Sequence, residues 1–114
     1  MKSLGTTVIF WKRSDGALIG YTANGHSGYA EAGADIVCAA ISVLVINTMN
    51  AIEAFTDDET SLVSDEVSGK IDFLVKGNPS KGAQLLLDAM LLGLEDMADD
   101  EIYRNYMDLT YEEV

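Results

Sequence analysis

The stretch from Asp35 to Phe55 carries neither glycine nor proline, and its apolar residues lie nearly all the way round a helical projection. In a chain of 114 residues such an element must sit at the centre, with everything else arranged to cover it. Its β-branched members Ile36, Val37, Ile41, Val43, Val45 and Ile46 also allow a strand, but the length and the N-capping potential of Asp35 favour a helix. Helix over Asp35–Phe55 is therefore the first expectation, central and mostly buried.

The rest of the chain supplies the cover. Thr6–Trp11 is β-branched and aromatic, Ser14-Asp15-Gly16 is a turn in which Gly16 takes a positive φ, and Ala17–Ala23 returns as a second strand. Asn24–Gly33 follows, three of its residues glycine, and is expected to form a mobile loop. Beyond the acidic Asp57-Asp58-Glu59, the runs Leu62–Val67 and Lys70–Val75 flank Ser68-Gly69 as a second hairpin. Asn78-Pro79-Ser80 opens a second helix to about Met97, with Leu85, Leu86, Ala89, Leu92 and Met97 as its apolar face. Tyr103–Tyr111 is left for an edge strand. The expectation is one α+β domain over residues 1–114, order β-β-α-β-β-α-β, with two helices on a mostly antiparallel sheet of four to five strands.

A net charge of -12 with only seven Lys and Arg argues against nucleic acid and in favour of either simple solubility or a basic partner. One cysteine makes no internal disulfide, and Met1-Lys2-Ser3-Leu4 is followed by no signal-peptide core. The most apolar run, Ile36–Ile46, is 11 residues long, against about 20 for a membrane span. Together these features predict a cytoplasmic protein without a membrane segment.

Two residues carry potential chemistry. If Asp35 caps the helix, Cys38 stands in its first turn, where unpaired N–H groups and the dipole favour a thiolate and the oxyanion it generates. Flanked by Val37, Ala39 and Ala40, it equally fits an inert core cysteine, the commoner fate of a free thiol. His26, the one histidine, lies in the glycine-rich segment and suits either a general base or a solvated loop residue. Asp35, Cys38 and Ser42 share one helical face, a polar stripe on an apolar helix. One His and one Cys fall short of a metal site, and a dithiol centre within the chain is excluded by count.

Gly25-His26-Ser27, followed by Gly33-Ala34-Asp35-Ile36-Val37-Cys38-Ala39-Ala40-Ile41-Ser42, resembles the signature of the ribosomal-processing cysteine protease family, small bacterial proteins often called Prp. That family carries Gly-His-Ala, a flexible loop, then Gly-x-Asp-Ile-Val-Cys-Ala-Ala-x-Ser; Ser27 departs from the usual alanine. The resemblance implies a Cys-His endopeptidase with Cys38 as nucleophile and His26 as base. Asp35, Ser42, Gly25 and Gly33 then become candidates for binding substrate or ordering the loop. It further implies removal of a short N-terminal extension, after an aromatic residue, from a large-subunit ribosomal protein, number twenty-seven of that subunit. A homodimer and no cofactor are implied as well. The competing reading of the residues is a non-catalytic acidic protein that binds ribosomal proteins or assembly factors, and a third is a single-thiol redox sensor.

Overall fold

The computed structural model describes residues 5–25, 32–65 and 67–114, and of residues 32–35 the backbone only. His26 and the remainder of the expected loop lie outside the described residues.

Seven-residue strands β1 (Thr6–Lys12) and β2 (Leu18–Asn24) form the first hairpin. Gly16 at its turn has φ +91, which an L side chain rarely adopts. Helix α1 (Ala32–Phe55) follows, then the hairpin β3 (Thr60–Asp65) and β4 (Lys70–Val75). Helix α2 (Lys81–Asp99), the 3₁₀ turn Tyr103–Tyr106 and β5 (Met107–Glu113) complete the chain. The expected order holds, with two corrections at strand ends. The third strand stops at Asp65, whose carboxylate accepts from the Val67 and Ser68 amides and turns the chain. The last strand begins at Met107 because the tyrosines before it close a 3₁₀ turn.

All five strands join one sheet in the order β3-β4-β2-β1-β5. The β3–β4, β4–β2 and β2–β1 pairings are antiparallel, and β5 adds parallel to β1 at one edge, so the sheet is mixed. Val8, Phe10, Tyr21, Ala23, Phe73 and Val75 form its buried face, with Phe10, Tyr21 and Phe73 side by side across three strands. Their rings pack at 5.9 and 5.4 Å between centroids. On the opposite face Trp11 Nε1 donates to Thr22 Oγ1 at 3.0 Å, and Thr22 donates to Asp72.

Both helices cover the aromatic face, each with one stripe. Ser80 caps α2, its Oγ accepting from Ala83 N at 3.1 Å while Asp58 accepts from Ser80 N at 2.8 Å. The buried stripe of α2 is Ala83, Leu87, Met90 and Leu94; Leu85 and Leu92 of the expected face are exposed. That helix is apolar on two sides, so periodicity alone did not distinguish the side that meets the sheet. The same holds for α1, which is less buried than expected. Val37, Ile41, Val45 and Ile52 are buried, whereas Ile36 and Val43 are 60% and 67% exposed. Its Ile36–Phe55 segment is also long and apolar enough, by length and composition, to cross a membrane, so counting the 11 residues Ile36–Ile46 understated the run. In this fold, one side of that segment is the floor of the core.

The height of α1 on the sheet is set by Tyr21, fully buried, whose hydroxyl donates to the Val45 carbonyl at 2.6 Å. Burial pushes the phenol above its ordinary pKa, so it remains a protonated donor. Tyr21→Phe keeps the ring and removes the bond. It should lower unfolding free energy by about 1 kcal/mol, read from urea titration of the two proteins.

Candidate active site

The end of β2 and the beginning of α1 meet beside the β3–β4 turn. Gly25, the residue after β2, donates its N–H to the Gly69 carbonyl at 3.1 Å. Gly69 has φ +72, and a Cβ there would stand 2.9 Å from the Gly25 carbonyl oxygen. Glycine is therefore required at 69 for two reasons, its left-handed backbone and the close approach of the neighbouring chain. Gly25 also faces the thiol: a Cβ at position 25 would lie 3.6 Å from Cys38 Sγ and 3.8 Å from the Gly69 carbonyl oxygen. Both are ordinary contact distances, so glycine at 25 is not enforced by a clash. Glycine at 25 places no side chain of its own against that flank of the sulfur.

Cys38 is half-buried, neither sealed in the core nor fully in water. Its place along the helix differs from expectation. Helix α1 begins at Ala32, so Asp35 is inside the first turn rather than its N-cap, and Cys38 is about two turns in. The unpaired amides are those of residues 32–35, and the dipole effect fades within that first turn. The argument that the helix start activates Cys38 and cradles its oxyanion thus fails in this geometry. Gly33, expected in the loop, belongs to the helix as well.

Among the other expected residues, Ser42 lies one turn beyond Cys38 on the same flank and is exposed. It borders a shallow depression with Val43, Ile46 and Asn50. No group of three or more His, Cys, Asp or Glu suited to a metal occurs among the described residues. Gly69 was legible in the sequence as a turn residue, but nothing local pointed to its contact with Gly25. The pairing of Asn24 with Lys70 across β2 and β4 is what brings the two glycines together.

The half-buried thiol stands against Gly25, the residue that precedes the one histidine in the sequence. The model of the family described as cysteine protease Prp matches residues 6–108. This chain belongs to the Prp cysteine protease family. The ribosomal processing cysteine protease Prp of Staphylococcus aureus (strain Mu50) is 29% identical over 105 residues, covering 92% of this chain and 97% of the relative. The crystal structure of S. aureus Prp in complex with a substrate peptide superposes with a TM-score of 0.86 at 26% identity, covering 94% of this chain and 99% of that one. A second S. aureus Prp structure, with a covalently linked product peptide, gives 0.81 at 28% identity, covering 94% and 99%. Their agreement over nearly the whole length makes the two-helix, five-stranded architecture that of Prp proteins.

Gly69→Ala forces a Cβ onto the Gly25 carbonyl and strains a left-handed position, at about 1–2 kcal/mol for the backbone alone. Because Gly25 flanks Sγ, the change should alter the rate of Cys38 alkylation by iodoacetamide at least severalfold. Alanine at Gly16, also at positive φ but with nothing within 4 Å, should cost comparable stability and leave the alkylation rate as it was.

Proposed function

We propose that this protein is the endopeptidase that removes the short N-terminal extension of a bacterial large-subunit ribosomal protein, number twenty-seven of that subunit, with Cys38 as nucleophile and His26 as general base. The observation that carries the assignment of the pair is Gly25, hydrogen-bonded to Gly69 and lying against Cys38 Sγ. His26 follows Gly25 directly in the sequence, which supports its imidazole as the base for Cys38.

The chemistry follows from that pair. The imidazole takes the thiol proton, and the sulfur attacks the scissile carbonyl carbon to form a tetrahedral oxyanion. Collapse breaks the C–N bond, and the imidazolium returns its proton to the departing amine. A thioester on Cys38 remains. Water, deprotonated by the same imidazole, attacks the thioester carbonyl, releasing the carboxylate product and the thiol. No cofactor enters the cycle.

The substrate reading is supported by charge. A net charge of -12 attracts the basic N-terminal region of a ribosomal protein and accelerates encounter. The proposal also includes the cytoplasm as the working compartment, where ribosomal proteins are made, without nucleic-acid or membrane partners. It includes a homodimer too, supported by the exposed Ile36 and Val43 on the outward side of α1.

Incubation with a synthetic extension-bearing peptide, followed by mass spectrometry, tests the reading. Wild-type protein should release two fragments; Cys38→Ala should release none, and His26→Ala should be slower by about 10²-fold or more. Cleavage that survives Cys38→Ala overturns the mechanism, and binding unaffected by Cys38 alkylation with no cleavage identifies a non-catalytic binding protein instead. Raising ionic strength from about 0.05 to 0.5 M should raise KM for a basic peptide more than it lowers kcat, because screening weakens encounter and leaves the chemistry alone.

A further inference from the structure

Two helices do not cover five strands. Strand β3 packs chiefly on β4, and Leu62, which points to the helix side with its partner Phe73, is 50% exposed. Between this uncovered strand and α1 runs an open groove of about 380 Å³. Its walls are Ile46 and Met49 of α1 on one side and Leu62 and Ile71 of the hairpin on the other, with Gly69 at one end.

Two independent relations tie this groove to the thiol. Along α1, Cys38, Ser42, Ile46 and Met49 are spaced by four, four and three residues and so occupy one flank of the helix. Across the sheet, Gly69 lines the groove and also accepts the hydrogen bond of Gly25, which flanks Cys38 Sγ. The groove therefore continues from the nucleophile rather than lying elsewhere on the surface. From Cys38 to Ile46 is eight residues of helix, about 12 Å at 1.5 Å each. An extended peptide covers that distance in about four residues at roughly 3.3 Å each.

We infer that the groove between α1 and β3 is a specificity subsite, in which Ile46, Met49, Leu62 and Ile71 receive a bulky apolar side chain of an extended peptide about four residues from its scissile bond. The assignment deepens the protease reading and rests on it for the identity of the peptide. An apolar strip open along its length suits a chain laid through it. Ser64 and Asp65 at its margin offer acceptors to the peptide backbone or to a basic residue of the substrate. Addition of the peptide as a sixth strand on β3 does not meet the same requirement. That edge is two strands removed from β2, at about 4.8 Å per strand, too far from Cys38 for one peptide to be cleaved there.

The test uses binding and cleavage separately. A fluorescein-labelled extension peptide is titrated by anisotropy into Cys38→Ala protein, with and without Leu62→Ser or Ile46→Ser; both residues are partly exposed, so the fold tolerates either change. Each variant should weaken binding by about tenfold, and kcat/KM of the same variants with Cys38 intact should fall by a similar factor. Replacing the peptide's apolar residues by alanine one at a time should find one, about four from the scissile bond, whose loss makes the Leu62→Ser effect vanish. Binding within twofold of the parent for both variants, or no such peptide position, overturns the subsite. So does a variant that dissolves a dimer while leaving peptide affinity unchanged, which would give the face to a second copy. If the peptide binds in a Leu62-dependent way but wild-type protein never cleaves it, the subsite stands and the protease reading falls.

Discussion

The hydrogen bond from the buried Tyr21 hydroxyl to the Val45 carbonyl fixes how α1 lies on the sheet. Four residues further along its strand, Tyr21 leads to Gly25; seven residues back along its helix, Val45 leads to Cys38. The strand advances about 13 Å over that interval and the helix about 10 Å. The two paths therefore converge, and Gly25 arrives against the cysteine sulfur. A shift of α1 by one residue would rotate Cys38 by about 100° and break the meeting. The aromatic row of Phe10, Tyr21 and Phe73 holds the donor in place, so the core and the site are parts of one arrangement.

That arrangement also explains why so apolar a helix is covered on one side only. The sheet has one buried face, and α1 shares it with α2, so each helix gives the sheet a single stripe. What remains of the apolar surface of α1 divides by direction. Ile36 and Val43 look away from the sheet, while Ile46 and Met49, on the flank of α1 that carries Cys38, border the groove beside the exposed strand β3.

Much of the fold was legible before the structure. β-branched runs separated by Asp15-Gly16 and Ser68-Gly69 marked two hairpins, and the positive φ at Gly16 and Gly69 is the reason those turns were readable. Ser80 after proline announced α2, and its side chain does cap the helix. Two features were misread for the same physical reason, the lack of a local signal. The apolar residues of α2 occur on two sides, and only contact with the sheet selects Leu87 and Leu94 over Leu85 and Leu92. Asp35 has the chemistry of an N-cap, yet Ala32, Gly33 and Ala34 are already helical, which moves Cys38 out of the first turn.

Local sequence was enough for the elements, their order, the single thiol and the stretches Gly25-His26 and Asp35–Ser42 on which the family resemblance was read. These depend on residues near one another in the chain, on turn chemistry, β-branching and a motif of fixed spacing. Packing between distant segments was needed to select the buried stripe of each helix, to add β5 to the sheet in parallel, and to set Gly69 beside Gly25, which flanks the thiol. It alone also produced the groove beyond Cys38, because that groove arises where helices and strands fail to overlap. Such a mismatch is a property of packing between distant segments, and no local pattern encodes it.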